Sequence, residues 1–154
     1  MIYAFIGQPG TGKTTLARLF KSFNEKTIHT VFFDGDDLRK MFNNAYSPSH
    51  FTKEYKIEQT KYLQNLIEYI HSQGFDIVVS TVNPYREVRE EFKRRMGDQL
   101  IEIYVHKTRS IREHYKVSDY EAPLENFIDI NTTDVSEDFS FAELINSISA
   151  RKNI

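Results

Sequence analysis

Cysteine is absent from this chain of 154 residues. Disulfide scaffolds, cysteine-ligated zinc and thiol nucleophiles are excluded with it. A basic surplus is missing too: 20 Lys and Arg face 22 Asp and Glu, a formal net charge of −2. Proteins dedicated to nucleic acid show their phosphate affinity as such a surplus, so no dedicated nucleic-acid partner is expected. A near-neutral chain can still hold a small anion at a locally positive site. Long apolar runs are lacking; stretches such as Ile77-Val78-Val79 fall far short of the roughly 20 residues that span a bilayer. No basic stretch with an apolar core follows Met1, so neither a signal peptide nor membrane association is expected, and the reading is a cytoplasmic protein. At this length a single domain, residues 1–154, is expected.

Glycine is scarce as well, six in the whole chain. Three of them, Gly7, Gly10 and Gly12, fall in one six-residue window directly behind the apolar run Ile2-Tyr3-Ala4-Phe5-Ile6. Glycine is needed where backbone takes unusual angles or approaches a ligand closely, so the clustering marks a site.

The remainder alternates strand-like and helix-like stretches. Residues 2–6 read as a buried strand and residues 13–24 as a helix with Leu16, Leu19, Phe20 and Phe23 on one face. A second strand is expected over 28–33, ending at Asp34-Gly35-Asp36, then a short helix carrying Leu38, Met41 and Phe42. Residues 43–50 read as loop. A long helix over 52–72 has Leu63, Leu66, Ile67 and Ile70 as its stripe, and Gln73-Gly74 stops it. Residues 75–81 form a third strand, apolar at consecutive positions as in a strand covered on both faces. Asn83-Pro84 is expected to open the next helix, with Val88, Phe92 and Met96 inward. A fourth strand over 100–105, a short helix over 108–115 and a fifth strand over 127–130 follow. Ser140 and Glu143 form a capping box for a last helix to about residue 150. This alternation implies an α/β fold with a parallel sheet and helices on both faces. Ligands then bind beyond the carboxyl ends of the strands, where Gly7, Asp34, Thr81 and Val105 all fall.

Gly7-Gln8-Pro9-Gly10-Thr11-Gly12-Lys13-Thr14 fits the phosphate-loop pattern at every position, behind a strand and ahead of a helix. The expectation becomes a three-layer phosphate-loop NTPase fold of about five parallel strands. Backbone N–H groups around such a loop present positive charge to a polyphosphate. Lys13 is expected on the β- and γ-phosphates of ATP and the Thr14 hydroxyl on Mg²⁺. Asp34 and Asp36, at the second strand's end, are the best carboxylates in the chain for taking a proton from an attacking hydroxyl or holding Mg²⁺-bound water. The third strand ends instead in Ser80-Thr81, and Asp76 lies at its wrong end. Arg39, one turn after Asp36, can pair with an anionic acceptor. Arg86 falls in a helix's first turn, where a cation opposes the dipole, which suggests an anionic partner there. Phe42, Tyr46, Phe51, Tyr55 and Tyr62 gather near the same side; Phe51 is the one expected to stack on a base. The mixed charges of 90–95 read as a solvated helix face.

These residues resemble the adenylyl-sulfate (APS) kinases, which use MgATP to phosphorylate the ribose 3′-hydroxyl of adenylyl sulfate. The resemblance is carried by the phosphate loop through Thr15, Asp34-Gly35-Asp36 with Arg39, and Phe51-Thr52. It continues through Ser80, Pro84-Tyr85-Arg86 with Arg89, Ile101-Glu102-Ile103-Tyr104-Val105, and Tyr120-Glu121-Ala122-Pro123 onward to Ile128-Asp129. It implies a small anionic nucleotide as substrate, with Asp34 or Asp36 serving the hydroxyl and Mg²⁺, Asp36 lying against the acceptor, and Arg39 on its phosphate. It leaves room for a homodimer. Lys56 and Gln59 stand where the family has an Arg and an Asn that hold the acceptor, and Lys61 where it has a further Arg. Lysine keeps the charge without the bidentate fork. Only residues 106–119 fill the place of the family's long basic lid, leaving Arg109, Arg112 and Lys116 as its cations. Two other classes stay open on the residues alone: a kinase for another sugar, nucleotide or polynucleotide hydroxyl, and a nucleotide-dependent switch or ATPase.

Overall fold

A computed structural model of the chain describes residues 1–42, 52–108 and 116–152. Five strands form one parallel sheet: β1 (Ile2–Ile6), β2 (Thr30–Asp34), β3 (Asp76–Ser80), β4 (Leu100–His106) and β5 (Ile128–Asn131). They lie in the order β2-β3-β1-β4-β5. The chain leaves β1 first for strands on one side and later for strands on the other. The C-terminal end of β1 is thus the switch point at which such sheets bind ligands.

Alternation along β1 and β3 divides the core. Tyr3, Phe5 and Val78 pack with Leu16, Ala17 and Phe20 of α1 (Lys13–Asn24) and Leu144 and Ile148 of α5 (Glu137–Lys152). Ile2, Ile77 and Val79 pack on the opposite face, with Ile67 of α3 (Lys53–Ser72) and Phe92 and Met96 of α4 (Arg86–Met96). Every residue of β3 is buried, as its apolar run demands. The short α2 (Gly35–Phe42) follows β2 directly. Three layers result, as the alternation implies, and among the described residues no helix is long and apolar enough to cross a membrane.

Several boundaries differ from the sequence reading, each for a local reason. The second strand starts at Thr30 because Thr27 and Ile28 N–H groups donate back to the Asn24 carbonyl (3.0 and 3.2 Å), tightening the exit from α1. The helix expected at Asn83-Pro84 starts at Arg86. Asn83 is left-handed (φ 41°), Tyr85 is extended and buried, and the Glu121 carboxylate accepts the Arg86 N–H at 2.7 Å. A side chain from 35 residues away takes the capping role read for Asn83.

The last helix starts at Glu137. Ser136 Oγ accepts the Phe139 N–H at 3.2 Å, and Ser140 is buried inside the helix. On α3, Leu66 turns outward while Gln64 is buried and donates to the Val88 carbonyl at 3.3 Å. The inward stripe is Leu63, Ile67 and Ile70. The expected loop at 43–50, nearly all of the expected 108–115 helix, and the middle of the 106–119 segment lie outside the described residues.

Candidate active site

Gly7 opens the loop at the end of β1 with φ 145°, and a Cβ there would stand 2.1 Å from the Val105 carbonyl oxygen. No other residue fits between β1 and β4 at that point. Gly10 and Gly12 are also left-handed, and Gly12 caps α1, its carbonyl accepting the Leu16 N–H at 3.1 Å. Lys13 is buried, and its Nζ donates to the Gln8 carbonyl at 2.7 Å; Thr11 Oγ1 donates to the same oxygen at 3.0 Å. The loop therefore folds around its own lysine. Thr132, after β5, fastens the far side by donating to the Thr11 carbonyl at 2.8 Å.

One row of polar side chains crosses the strand ends. Thr14 Oγ1 lies 3.1 Å from Ser80 Oγ at the end of β3, and Ser80 is the register partner of Asp34 on β2. Asp34 is buried, and its carboxylate accepts the Asp36 N–H at 2.9 Å. Arg18 of α1 approaches Asp34 at 3.6 Å and Asp37 at 3.7 Å, with its guanidinium over the Phe32 ring. The two candidate acids part company here. The Asp36 side chain is 62% exposed and pairs with Arg39 at 3.5 Å, so these two charges meet each other on the surface of α2.

The side that the sequence reading assigns to the acceptor begins at the N-terminus of α3. Thr52 caps it by accepting the Tyr55 N–H at 3.2 Å. Lys56 and Gln59 lie on its first two turns, both half-buried. Lys53 Nζ stands 5.0 Å from the Tyr85 ring centroid, and the Tyr85 hydroxyl donates to Asp119 at 2.8 Å. Burial first, and then that hydrogen bond, pushes the Tyr85 phenol up to about 12. The bond from Tyr85 first, with Lys56 and Lys53 adding their charge, holds the Asp119 carboxyl below its usual range. Phe51 and Tyr46 lie outside the described residues; Phe42 and Tyr62 are exposed.

Arg86 points elsewhere than an acceptor would require. Its Nε and Nη2 both donate to the Ala122 carbonyl, at 3.0 and 2.8 Å. The Glu121 N–H donates to the Pro84 carbonyl at 2.9 Å. Pro84-Tyr85-Arg86 and 120–123 are thus bound to each other along their backbones. Beneath them Arg89 is fully buried and donates to the carbonyls of Asn83 and Glu121. It also lies 3.4 Å from the Glu102 carboxylate and under the Tyr120 ring. Lys93, read as part of a solvated face, turns inward to Glu102 at 3.3 Å and to Glu90 at 2.6 Å. Burial raises the Glu102 carboxyl against the pull of Lys93 and Arg89.

Sequence reasoning had placed Ser80 only through the family resemblance. It missed Arg18, Asp119 and the side-chain role of Gln8 altogether; nothing in residue type or spacing marks them.

A glycine-rich loop at the switch point of a five-stranded parallel sheet, with a buried lysine and a hydroxyl–carboxylate row beside it, defines a phosphate-loop protein of the small-kinase type. The fold agrees with solved structures of that kind. The Mycobacterium tuberculosis APS kinase in complex with AMPPNP and APS superposes with a TM-score of 0.79 at 21% identity, covering 96% of each chain. Shikimate kinase from Aquifex aeolicus gives 0.60 at 14%, covering 99% of this chain and 98% of the other. The family model for adenylylsulphate kinase matches residues 1–126, and the chain belongs to that family.

The adenylyl-sulfate kinase of Picosynechococcus sp. is 32% identical over 102 residues, 66% of this chain and 55% of the relative. That of Gloeothece citriformis is 29% identical over 112 residues, 72% of this chain and 61% of the relative. The matched stretches thus span little more than half of these relatives.

Proposed function

We propose that the protein transfers the γ-phosphoryl group of MgATP to the 3′-hydroxyl of adenylyl sulfate. The observation that carries the reading is the row Thr14–Ser80–Asp34 beside the loop that holds Lys13. A buried carboxylate next to a loop suited to a polyphosphate supports the reading. The backbone N–H groups of Gly7, Gln8, Gly10, Thr11, Gly12, Lys13, Thr14 and Thr15 hold the ATP phosphates, and Pro9, which has no N–H to give, shapes the loop between them. Lys13 exchanges the Gln8 carbonyl for the β- and γ-oxygens. Thr14 and, through water, Asp34 fit Mg²⁺, a hard cation that takes few protein ligands beside phosphates and water. When bound, that ion neutralises charge on the phosphates.

Asp34 accepts the proton of the 3′-hydroxyl as its oxygen bonds to the γ-phosphorus, and the bond to ADP breaks in line. Asp36, Arg39, Phe51, Lys56, Gln59 and Arg86 make up the acceptor side, with Arg86 acting through the 120–123 backbone. Residues 1–154 act as one domain, with 106–119 as a short lid-like segment, in a cytoplasmic enzyme of sulfate activation.

Formation of phosphoadenylyl sulfate from labelled ATP and adenylyl sulfate is the test. Absence of product at high enzyme concentration, with ATP binding intact, overturns the acceptor and points to a kinase for another hydroxyl.

A further inference from the structure

We infer that Asp119 is a specificity-determining residue: its carboxylate, held in place by Tyr85, is a built-in counter-ion to Lys53 and Lys56 that weakens the pull of this site on an acceptor anion. The inference rests on the proposed function in one respect, that the acceptor's anionic end lies at Lys56.

Asp119 is exposed, yet its place is determined from three directions. The Tyr85 hydroxyl donates to Oδ2 at 2.8 Å. Two residues earlier, Val117 is tied to the Gln8 amide through both its N–H and its carbonyl, at 2.9 and 2.8 Å. Two residues later, the Glu121 N–H is tied to the Pro84 carbonyl at 2.9 Å. A carboxylate on backbone pinned at both ends does not swing away as an ordinary surface aspartate does.

The charges around it complete the picture. Lys53 and Lys56 are three residues apart on α3, so they share one face of the helix. Lys53 Nζ lies over the very ring whose hydroxyl holds Asp119. Both lysines help keep the Asp119 carboxyl ionised. Glu54 and Glu121 add negative potential at the Tyr85 hydroxyl. The Tyr85 ring thus joins the two sides, with Lys53 over its face and Asp119 on its hydroxyl. An acceptor carrying a phosphate and a sulfate approaches lysines that already have a fixed carboxylate in their neighbourhood. The effect is modest, because exposed pairs interact weakly and are screened by salt. The expected effect is on the acceptor, because Lys53 and Lys56 belong to α3 and not to the phosphate loop.

Asp119→Asn tests this, because asparagine keeps an oxygen for the Tyr85 hydroxyl and removes only the charge. The KM for adenylyl sulfate should fall by about two- to fivefold and rise more steeply with salt, while the KM for ATP stays unchanged. Lys56→Ala in the Asp119→Asn background should cancel the gain. Tyr85→Phe, which keeps the Asp119 charge but loses the hydroxyl that holds it, should lower the KM less than Asp119→Asn does. A KM for adenylyl sulfate that is unchanged or raised in folded Asp119→Asn overturns the inference.

If the unaltered protein forms no product, the proposed acceptor fails separately. The counter-ion is then read with inorganic sulfate as probe, followed by the amide resonance of Lys56. Tighter sulfate binding by Asp119→Asn supports the inference, and equal binding overturns it.

Discussion

Gln8 grips Val117 by both of its backbone polar groups: Nε2 donates to the Val117 carbonyl at 2.8 Å, and the Val117 N–H donates to Oε1 at 2.9 Å. The main-chain carbonyl of the same residue receives Lys13 Nζ and Thr11 Oγ1. One residue of the phosphate loop thus holds the lysine expected on ATP and the backbone that leads to Asp119 and Glu121. The proposed donor and acceptor halves of the site would share it.

Gln8→Leu removes both bonds to Val117, whereas Gln8→Glu keeps the acceptor and loses only the donor. With each bond worth about 1 kcal/mol, hydrogen exchange of the Val117 amide should quicken roughly thirtyfold in Gln8→Leu. In Gln8→Glu, which loses one bond, it should quicken about fivefold. Equal protection in all three proteins would show that the segment is held by something other than Gln8.

The contrast between what could and could not be read from sequence follows the range of the interactions. The loop from Gly7 to Thr14 was legible because its demands are local: glycines at left-handed positions, a strand before and a helix after. The layers were legible because apolar period reports burial, as in the unbroken run of β3. Asn83-Pro84 misled because its local capping chemistry was overruled by Glu121, a partner no window around Arg86 contains. The same holds for Lys93, whose burial depends on Glu102 of the neighbouring strand, and for Asp119, whose meaning comes from Tyr85 and α3. Asp34 and Asp36 were indistinguishable by type and spacing; the fold separates them, burying Asp34 in register with Ser80 and leaving Asp36 exposed against Arg39.

That separation has a kinetic consequence. Asp34→Asn should lower turnover by more than about tenfold, the least expected of a group that moves the proton. Asp36→Asn, on an exposed side chain paired with Arg39, should act mainly on the acceptor KM. Steady-state kinetics with both substrates varied will distinguish them, and a larger turnover loss in Asp36→Asn would reverse the assignment.

Lys13→Ala should abolish transfer while the fold persists, because Lys13 Nζ bonds to the Gln8 carbonyl of its own loop, and the apolar core on α1 is built from Leu16, Ala17 and Phe20. Circular dichroism melting checks the second half of that statement. Wild-type turnover by this variant would remove the lysine from the chemistry.

Glu102 answers two buried cations, Arg89 and Lys93, from the middle of β4. Glu102→Gln keeps the volume and leaves both charges with less compensation, a situation that costs about 3 kcal/mol or more. At about 2–4 °C per kcal/mol for a domain of this size, the melting temperature should drop by roughly 10 °C. Glu102→Leu combined with Lys93→Met should lose less, since a charge leaves with its partner. A melting temperature unchanged in Glu102→Gln would mean that Glu90 alone satisfies Lys93.

The alkaline limb of stability should carry the mark of Tyr85. Burial, then the hydrogen bond to Asp119, then the charges of Asp119, Glu54 and Glu121 push its phenol from 10.0 to about 12. In the unfolded chain the proton leaves near 10; in the folded chain it stays until about 12. Between those values the folded state binds more protons, so stability falls as pH rises. The contribution is fully present below pH 10 and lost as pH climbs through 12. Tyr85→Phe should flatten this part of the stability curve and remove one late phenol from the ultraviolet titration. Asp119→Asn should move that phenol back toward 10 without reaching it, because burial, the largest cause, remains. An alkaline titration identical in Tyr85→Phe and wild type would show that Tyr85 is not among the late-titrating phenols.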